Sequence, residues 1–243
     1  MQRSVWSRIA HGDLEFMGPY DETSFERLLD GAALPAGVRV LDLGCGKGAL
    51  LRWLASRAPI DGTGVDLHPG TSGIPGVRLL AGDARSFPAE PESFDLVCSV
   101  GAVSDIGQLA ALVRPGGLVL LGDGYWRQTP GDAYLDALGA TIDDMLDWQA
   151  TLSIGAPHGL SLVRALPSSV EQWDVYEQTW AANGERYAAE HPGEPGLAEF
   201  LGWIRNGRRR YTELGGRDTL GFALLLFRQG PGRSVTGACS EPD

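Results

Sequence analysis

The residues of this 243-residue chain that could do chemistry gather in its first half. In Val40-Leu41-Asp42-Leu43-Gly44-Cys45-Gly46-Lys47-Gly48 an apolar run leads into three glycines at alternate positions. Glycine lets a backbone turn sharply and admits a ligand with no Cβ in the way. A helix opening there would present free N–H groups to a polar or anionic ligand. Asp66 follows about 20 residues later, at the end of the next apolar run, a spacing that suits ribose hydroxyls. Gly44, Gly46 and Ala49 also satisfy the loose dinucleotide pattern. Asp42, however, aims a carboxylate at the space a pyrophosphate would need, where an ammonium is welcome instead. Asp83, in Ala81-Gly82-Asp83-Ala84, ends a third apolar run and is placed to accept from an adenine amino group. Three acids at three successive run ends suit a cationic adenosyl amino acid better than a nicotinamide dinucleotide.

The elements that must position these acids follow from the pattern. Val38–Leu43, 62–66, Val77–Ala81, 94–99 and 117–122 read as strands buried on both faces, with helical patterns at 49–58 and 106–113. This alternation predicts an α/β fold: a Rossmann-like, doubly wound, mostly parallel seven-stranded sheet with a helical cap. Residues 1–37 form an N-terminal helical arm or lid, with a helix at Glu22–Leu29 capped by Asp21. The main domain spans 38–228. Helical patterns are expected at 133–152, Val170–Glu190 and 196–213, and strands at 160–166 and 222–227. A cap insertion is placed at about 168–216, and 229–243 is expected to be disordered.

Composition narrows the function. A hydrophobic fraction of 43% supports a sizeable core. A net charge of −11 repels phosphate backbones and argues against a nucleic-acid partner. Arg208-Arg209-Arg210 reads as a solvated helix face. No apolar run is long enough to span a bilayer, which argues against a membrane partner, and no secretory apolar region opens the chain. Cys45, Cys98 and Cys239 are too dispersed for a disulfide framework or a metal site, so a reducing cytoplasm and no metal are expected.

The motifs, in this order, resemble those of class I S-adenosylmethionine-dependent methyltransferases, in a bacterial subgroup of small-molecule type. VLDLGCGKG is similar to the family's first motif. Asp66 in GVDL is similar to its ribose-binding acid and Asp83 in GDA to its adenine-contacting acid. SFDLVCSVGAV (93–103) resembles the fourth motif and LVRPGGLVLLGDGYW (112–126) the motif of the fifth strand. The resemblance covers about residues 38–126 and extends through HGDLEFMGP, YEQTW and RDTLGFALLLFR. It implies S-adenosyl-L-methionine as cofactor, held by Asp42, Gly44, Cys45, Gly46, Asp66, Leu67, Asp83, Ala84, Ser99 and Gly101. It also implies in-line methyl transfer to a small-molecule acceptor, giving S-adenosylhomocysteine. One departure stands out: HPGTSGIPG (68–76) has no room for the usual crossover helix, so the adenine wall is expected to be looser or built by another segment.

Catalytic candidates come from strand ends and from the arm. Strand C-termini face the ligand crevice in open α/β sheets, so Asp123 is expected to orient or deprotonate the acceptor, with Tyr125 next and Trp126 packing on it. His11, in the arm, is expected to help close the site. Tyr20, Trp173, Tyr176 and Trp180, with Trp126, are the expected substrate wall, and exposed cap aromatics would suit a homodimer. Cys45 reads as a small buried spacer. The alternatives are another reaction of the same cofactor (cyclisation or elimination releasing methylthioadenosine) and a non-catalytic cofactor-binding module.

Overall fold

The computed structural model describes residues 3–32, 34–71 and 73–231. Most of the tail expected to be disordered, Cys239 included, lies outside them; within them Gln229 ends a strand and Gly230 N donates to Gly159 O at 3.1 Å.

Five strands form the parallel part of the sheet: β1 (Val38–Leu43), β2 (Ile60–Asp66), β3 (Val77–Ala81), β4 (Phe94–Val100) and β5 (Val113–Trp126). With β6 (Leu160–Pro167) and β7 (Leu220–Gln229) they make seven strands in the order β3-β2-β1-β4-β5-β7-β6. β7 runs antiparallel between β5 and β6. The chain reverses its direction of winding between β1 and β4, the position at which open α/β sheets hold ligands.

Two faces of the sheet are covered differently. One face carries Val40, Leu96, Cys98, Leu118 and Leu120 and packs on α2 (Glu22–Leu29) and α3 (Ala49–Ala55). The other carries Leu41, Val97, Val119, Leu121 and Tyr125 and packs on α4 (Ile106–Leu112) and α6 (Trp148–Ser153). Asp42 pairs with Cys98, and Cys98 with Leu120, so Asp42 belongs to the first face. α2 starts where Asp21 accepts from Ser24 N at 2.8 Å, and Ser24 returns its side chain to the Asp21 N–H.

Two expectations need correction. The helix expected over 133–152 is broken into α5 (Asp132–Leu138), a short turn at Ile142–Asp144 and α6. Gly139, at φ 70°, ends the first piece in the left-handed region, and Asp147 caps the last by accepting from Ala150 N. The arm also holds a helix that sequence periodicity had not singled out, α1 (Arg3–Ala10). The coil after β2 contains no helix among its described residues, as expected. It is not loose against the glycine loop, however, because Gly70 N donates to Gly46 O at 2.9 Å.

Between β6 and β7 lie α7 (Val170–Glu190), α8 (Leu197–Thr212) and the short α9 (Gly216–Thr219). α1 docks on α7 and α8 through a cluster of Trp6, Ala10, Trp180, Ala181, Phe200 and Ile204. Asn183, buried on α7, donates to Ala10 O at 3.0 Å and satisfies the end of α1. Trp180 is therefore core in this cluster and not substrate wall. Trp173 is likewise buried, 6.2 Å from the Tyr211 ring and stacked on it.

This small cluster holds the arm. Phe200 is fully buried in it, so Phe200→Ala should cost about 3–5 kcal/mol. Urea unfolding should show that loss, together with earlier exposure of residues 3–20 to proteolysis.

Candidate functional site

The site begins at the turn from β1 to α3. Gly44 and Gly46 have φ of 83° and 50°, a region that L residues with a Cβ rarely enter. A Cβ on Gly44 would collide with the Ala102 methyl, and one on Gly46 would lie 2.8 Å from Met17 Sδ. The loop is thin because other parts of the chain close on it. Gly44 N and Cys45 N donate to Val65 O. Asp66, at the end of β2, is held by two backbone donors: Gly46 N to Oδ2 at 3.0 Å and His68 N to Oδ1 at 2.8 Å. One carboxylate thus fixes the glycine loop and the coil after β2 together.

Asp42 is 3% exposed and makes no hydrogen bond among the described residues. Burial, and then the nearby charge of Asp66, push its pKa up to about 7. A cation arriving there would draw the carboxyl into its charged form. Burial also pushes the Cys45 thiol up, which keeps it un-ionised and fits its reading as a spacer.

Lys47, the one lysine of the chain, donates from Nζ to His11 O at 2.8 Å, Gly12 O at 2.7 Å and Leu14 O at 2.9 Å. All three ammonium protons are used, and the arm is drawn over the loop. A cavity of about 560 Å³ lies beneath it. Gly44, Gly46, Asp66, Leu67, Asp83 and Ala84 line it, all expected from sequence. Ser4, Ser7, Arg8 and Met17 of the arm, and Ala102 and Val103 after β4, line it too and were not expected. The cavity falls within the roughly 300–1,000 Å³ usual for small-molecule sites. It fits S-adenosylmethionine: Asp66 and Asp83 line it where nucleoside hydroxyls and the adenine would lie, and Asp42 lines the adjoining space beside the glycine loop, where a cationic amino acid would lie.

A narrower space continues from Gly44 past Asp42, Met17, Phe16 and Tyr20. A second cavity of about 340 Å³, between the arm and the start of α7, shares Glu15, Phe16 and Tyr20 with that space and has Tyr176 in its wall. Tyr176 is bonded to His11, Nε2 lying 3.0 Å from the phenol oxygen. His11 Nδ1 lies 2.7 Å from Ser7 O, which can only accept, so Nδ1 carries the proton and Nε2 accepts from the Tyr176 hydroxyl. Burial holds the His11 pKa below its usual value, the Ser7 bond works against that, and the Lys47 charge adds to it. Burial likewise raises Tyr20 and Tyr176.

Several expected site residues sit elsewhere. Asp123 and Tyr125 have the strand parity of Leu121 and lie on the face opposite Asp42; Tyr125 is buried against Trp148, ring centroids 4.9 Å apart. Trp126 is buried against Tyr134 and donates from Nε1 to Ile142 O, closing the end of β5. Ser99 is fully buried, and its Oγ accepts from Val103 N at 2.8 Å. Gly101 turns outward at φ 72°. The turn these two form presents Ala102 and Val103 to the cavity instead. Among the described residues no group of three or more His, Cys, Asp or Glu is placed to hold a metal, and no helix is long and apolar enough to cross a membrane.

Replacing Lys47 by Met keeps most of the stem and removes the three donations. The arm should then open: hydrogen exchange at residues 11–17 should rise well above the wild-type rate while the β1–β5 amides stay protected. Unchanged exchange in the arm would show that the α1 cluster alone holds it.

Comparison with known proteins agrees with this geometry. A family model described as a methyltransferase domain matches residues 40–117. Escherichia coli YjhP is 27% identical over 241 residues, covering 90% of this chain and 96% of that protein. Its X-ray structure has a TM-score of 0.80 at 25% identity, over 91% of this chain and 98% of that one. A crystal structure of a SAM-dependent methyltransferase from Thiobacillus denitrificans, in complex with S-adenosyl-L-homocysteine, has a TM-score of 0.79 at 26% identity, over 93% and 98% of the two chains. The cavity, the acids at the strand ends and these likenesses support one activity: S-adenosylmethionine-dependent methyl transfer on a class I fold.

Proposed function

We propose that the acceptor is a small molecule that enters between the arm and α7, and that Tyr176, held by His11, takes its proton. The observation that carries this reading is the His11–Tyr176 hydrogen bond, in the wall of a cavity that shares Tyr20 with the space beside the cofactor loop. Bound S-adenosylmethionine supplies a methyl carbon on a positively charged sulfur: an acceptor lone pair forms the new bond, and sulfur keeps the pair of the bond that breaks.

The chain's own residues do the rest. Asp66, Leu67, Asp83 and Ala84 bind the nucleoside end, and Asp42 with the 44–46 loop binds the amino-acid end. The arm excludes water, and alignment does most of the catalytic work. Tyr176 touches the acceptor. Its oxygen receives the acceptor's proton while its own hydroxyl proton passes to Nε2 of His11. His11 is a positioning residue that acts through Tyr176, and its low pKa keeps it neutral and able to receive at pH 7.

Incubation with S-adenosylmethionine and fractionated cell extract, followed by mass spectrometry, tests the reading. S-adenosylhomocysteine should appear with a metabolite heavier by one methylene, whereas methylthioadenosine without such a product would overturn it. Tyr176→Phe should lower kcat by about 10²–10⁴-fold with S-adenosylhomocysteine affinity unchanged. His11 has its pKa below the usual ~6.5, so wild-type kcat should hold above that pH and fall as pH drops through the lowered value. In His11→Gln that acid limb should vanish.

Asp42 supplies a second pH test. Its carboxyl must lose a proton to pair with the ligand ammonium, so affinity should fall as pH drops below about 7, with proton release on binding. Calorimetric titration in two buffers of different ionisation enthalpy reads this directly. Asp66→Ala should weaken cofactor binding by about 1 kcal/mol or more.

A further inference from the structure

We infer that the acceptor is a cationic amine, recognised by aromatic faces and carboxylates in the cavity between the arm and α7. The inference rests on the small-molecule reading above and names the charge of that molecule. The cavity walls are apolar and aromatic: Phe16, Tyr20 and Tyr176 face it together. Phe16 and Tyr20 rings lie 6.0 Å apart, and Tyr20 is stacked on Phe222 at 5.4 Å, so these faces are held in place. Aromatic faces attract a cation through their quadrupole and do so more strongly as water is excluded.

The charged groups of the wall have one sign. Glu15, Asp21 and Glu171 line the cavity, and no lysine or arginine does. Glu15 holds Arg52 at 2.7 Å, and Asp21 is bound by Ser24 and Gln172. Glu171 makes no ion pair among the described residues, and its carboxyl is held below the usual range by hydrogen bonding at its own backbone and Ser169. A carboxylate without an ion pair among the described residues therefore shares this wall with three aromatic rings, two of which, Phe16 and Tyr20, also line the neighbouring space that holds Asp42. An anionic acceptor would meet like charge at the wall of this cavity and again at Asp42, where the Lys47 ammonium is already spent on three carbonyls of the arm. An ammonium would be drawn in, lose its proton to the Tyr176–His11 pair, and present a nitrogen lone pair.

A matched pair of probes tests this on protein loaded with S-adenosylhomocysteine: phenethylamine and 3-phenylpropionate, which share a ring and a two-carbon link but differ in charge. Calorimetry and saturation-transfer NMR should show the amine binding at least about tenfold more tightly. Glu171→Gln, and more so Glu15→Gln with Glu171→Gln, should reduce that preference severalfold. Glu190→Gln, at the far end of α7, should leave it unchanged. A preference for the acid, equal binding, or a preference untouched by the glutamine variants would overturn the amine assignment and leave the small-molecule reading standing. Binding of neither probe to the loaded protein would overturn both, because the cavity would then not be an acceptor site.

Discussion

Three backbone carbonyls, of His11, Gly12 and Leu14, converge on the single ammonium of Lys47, and the shape of both cavities follows from that contact. The carbonyls belong to a stretch with no regular structure; His11 O also accepts from Leu14 N, while those of Gly12 and Leu14 have no other partner among the described residues. The ammonium belongs to the loop that any ligand must approach. Joining the two roofs the cofactor loop with the arm and brings Met17 over Gly46 and His11 beside Tyr176. A compact ammonium with three rotatable donors suits three carbonyls at one point; the planar fork of an arginine does not.

Beneath that roof the electrostatics are deliberately unfinished. Asp66 stands close enough to Asp42 to penalise its charge, and of the two only Asp66 is held by backbone donors. Asp42 is left buried, without a hydrogen bond among the described residues and near half-protonation at neutral pH. Such a group costs folding energy and returns it when a cation binds. The acids that destabilise the ligand-free pocket are thus the ones that select its contents.

The parts of the site written in consecutive residues were legible in the sequence. A strand, alternating glycines and an acid at the end of the next strand encode Asp42, Gly44, Gly46 and Asp66 locally, because φ above zero and strand length are local properties. Asp123 and Tyr125 were misplaced for a related reason: the end of β5 could be read, but not which parity faces the crevice, since that depends on the register with β4 and β7. Ser99 and Gly101 fell to a turn whose side-chain bond to Val103 spends the hydroxyl internally. Ser7, Arg8 and Met17 carried no local signal at all. Their place depends on Trp6 and Ala10 packing against Trp180 and Phe200, far along the sequence, and on the Lys47 contact. Of the five aromatics expected to line the acceptor site, Tyr20 and Tyr176 do line the cavity, while Trp126, Trp173 and Trp180 are spent on packing.

The short coil after β2 has a further consequence. Where a crossover helix would wall in the nucleoside, Leu67 stands 55% exposed, and His68, Asp83 and Arg85 lie open beside it. The cavity proposed for the acceptor opens elsewhere, between the arm and α7. On the proposed reading the enzyme has two doorways, one for the nucleoside along the sheet edge and one for the acceptor past the aromatic rings. Spent nucleoside can exchange without the acceptor vacating its own entrance, so the order in which reactants come and go is left to their concentrations and not imposed by a single gate.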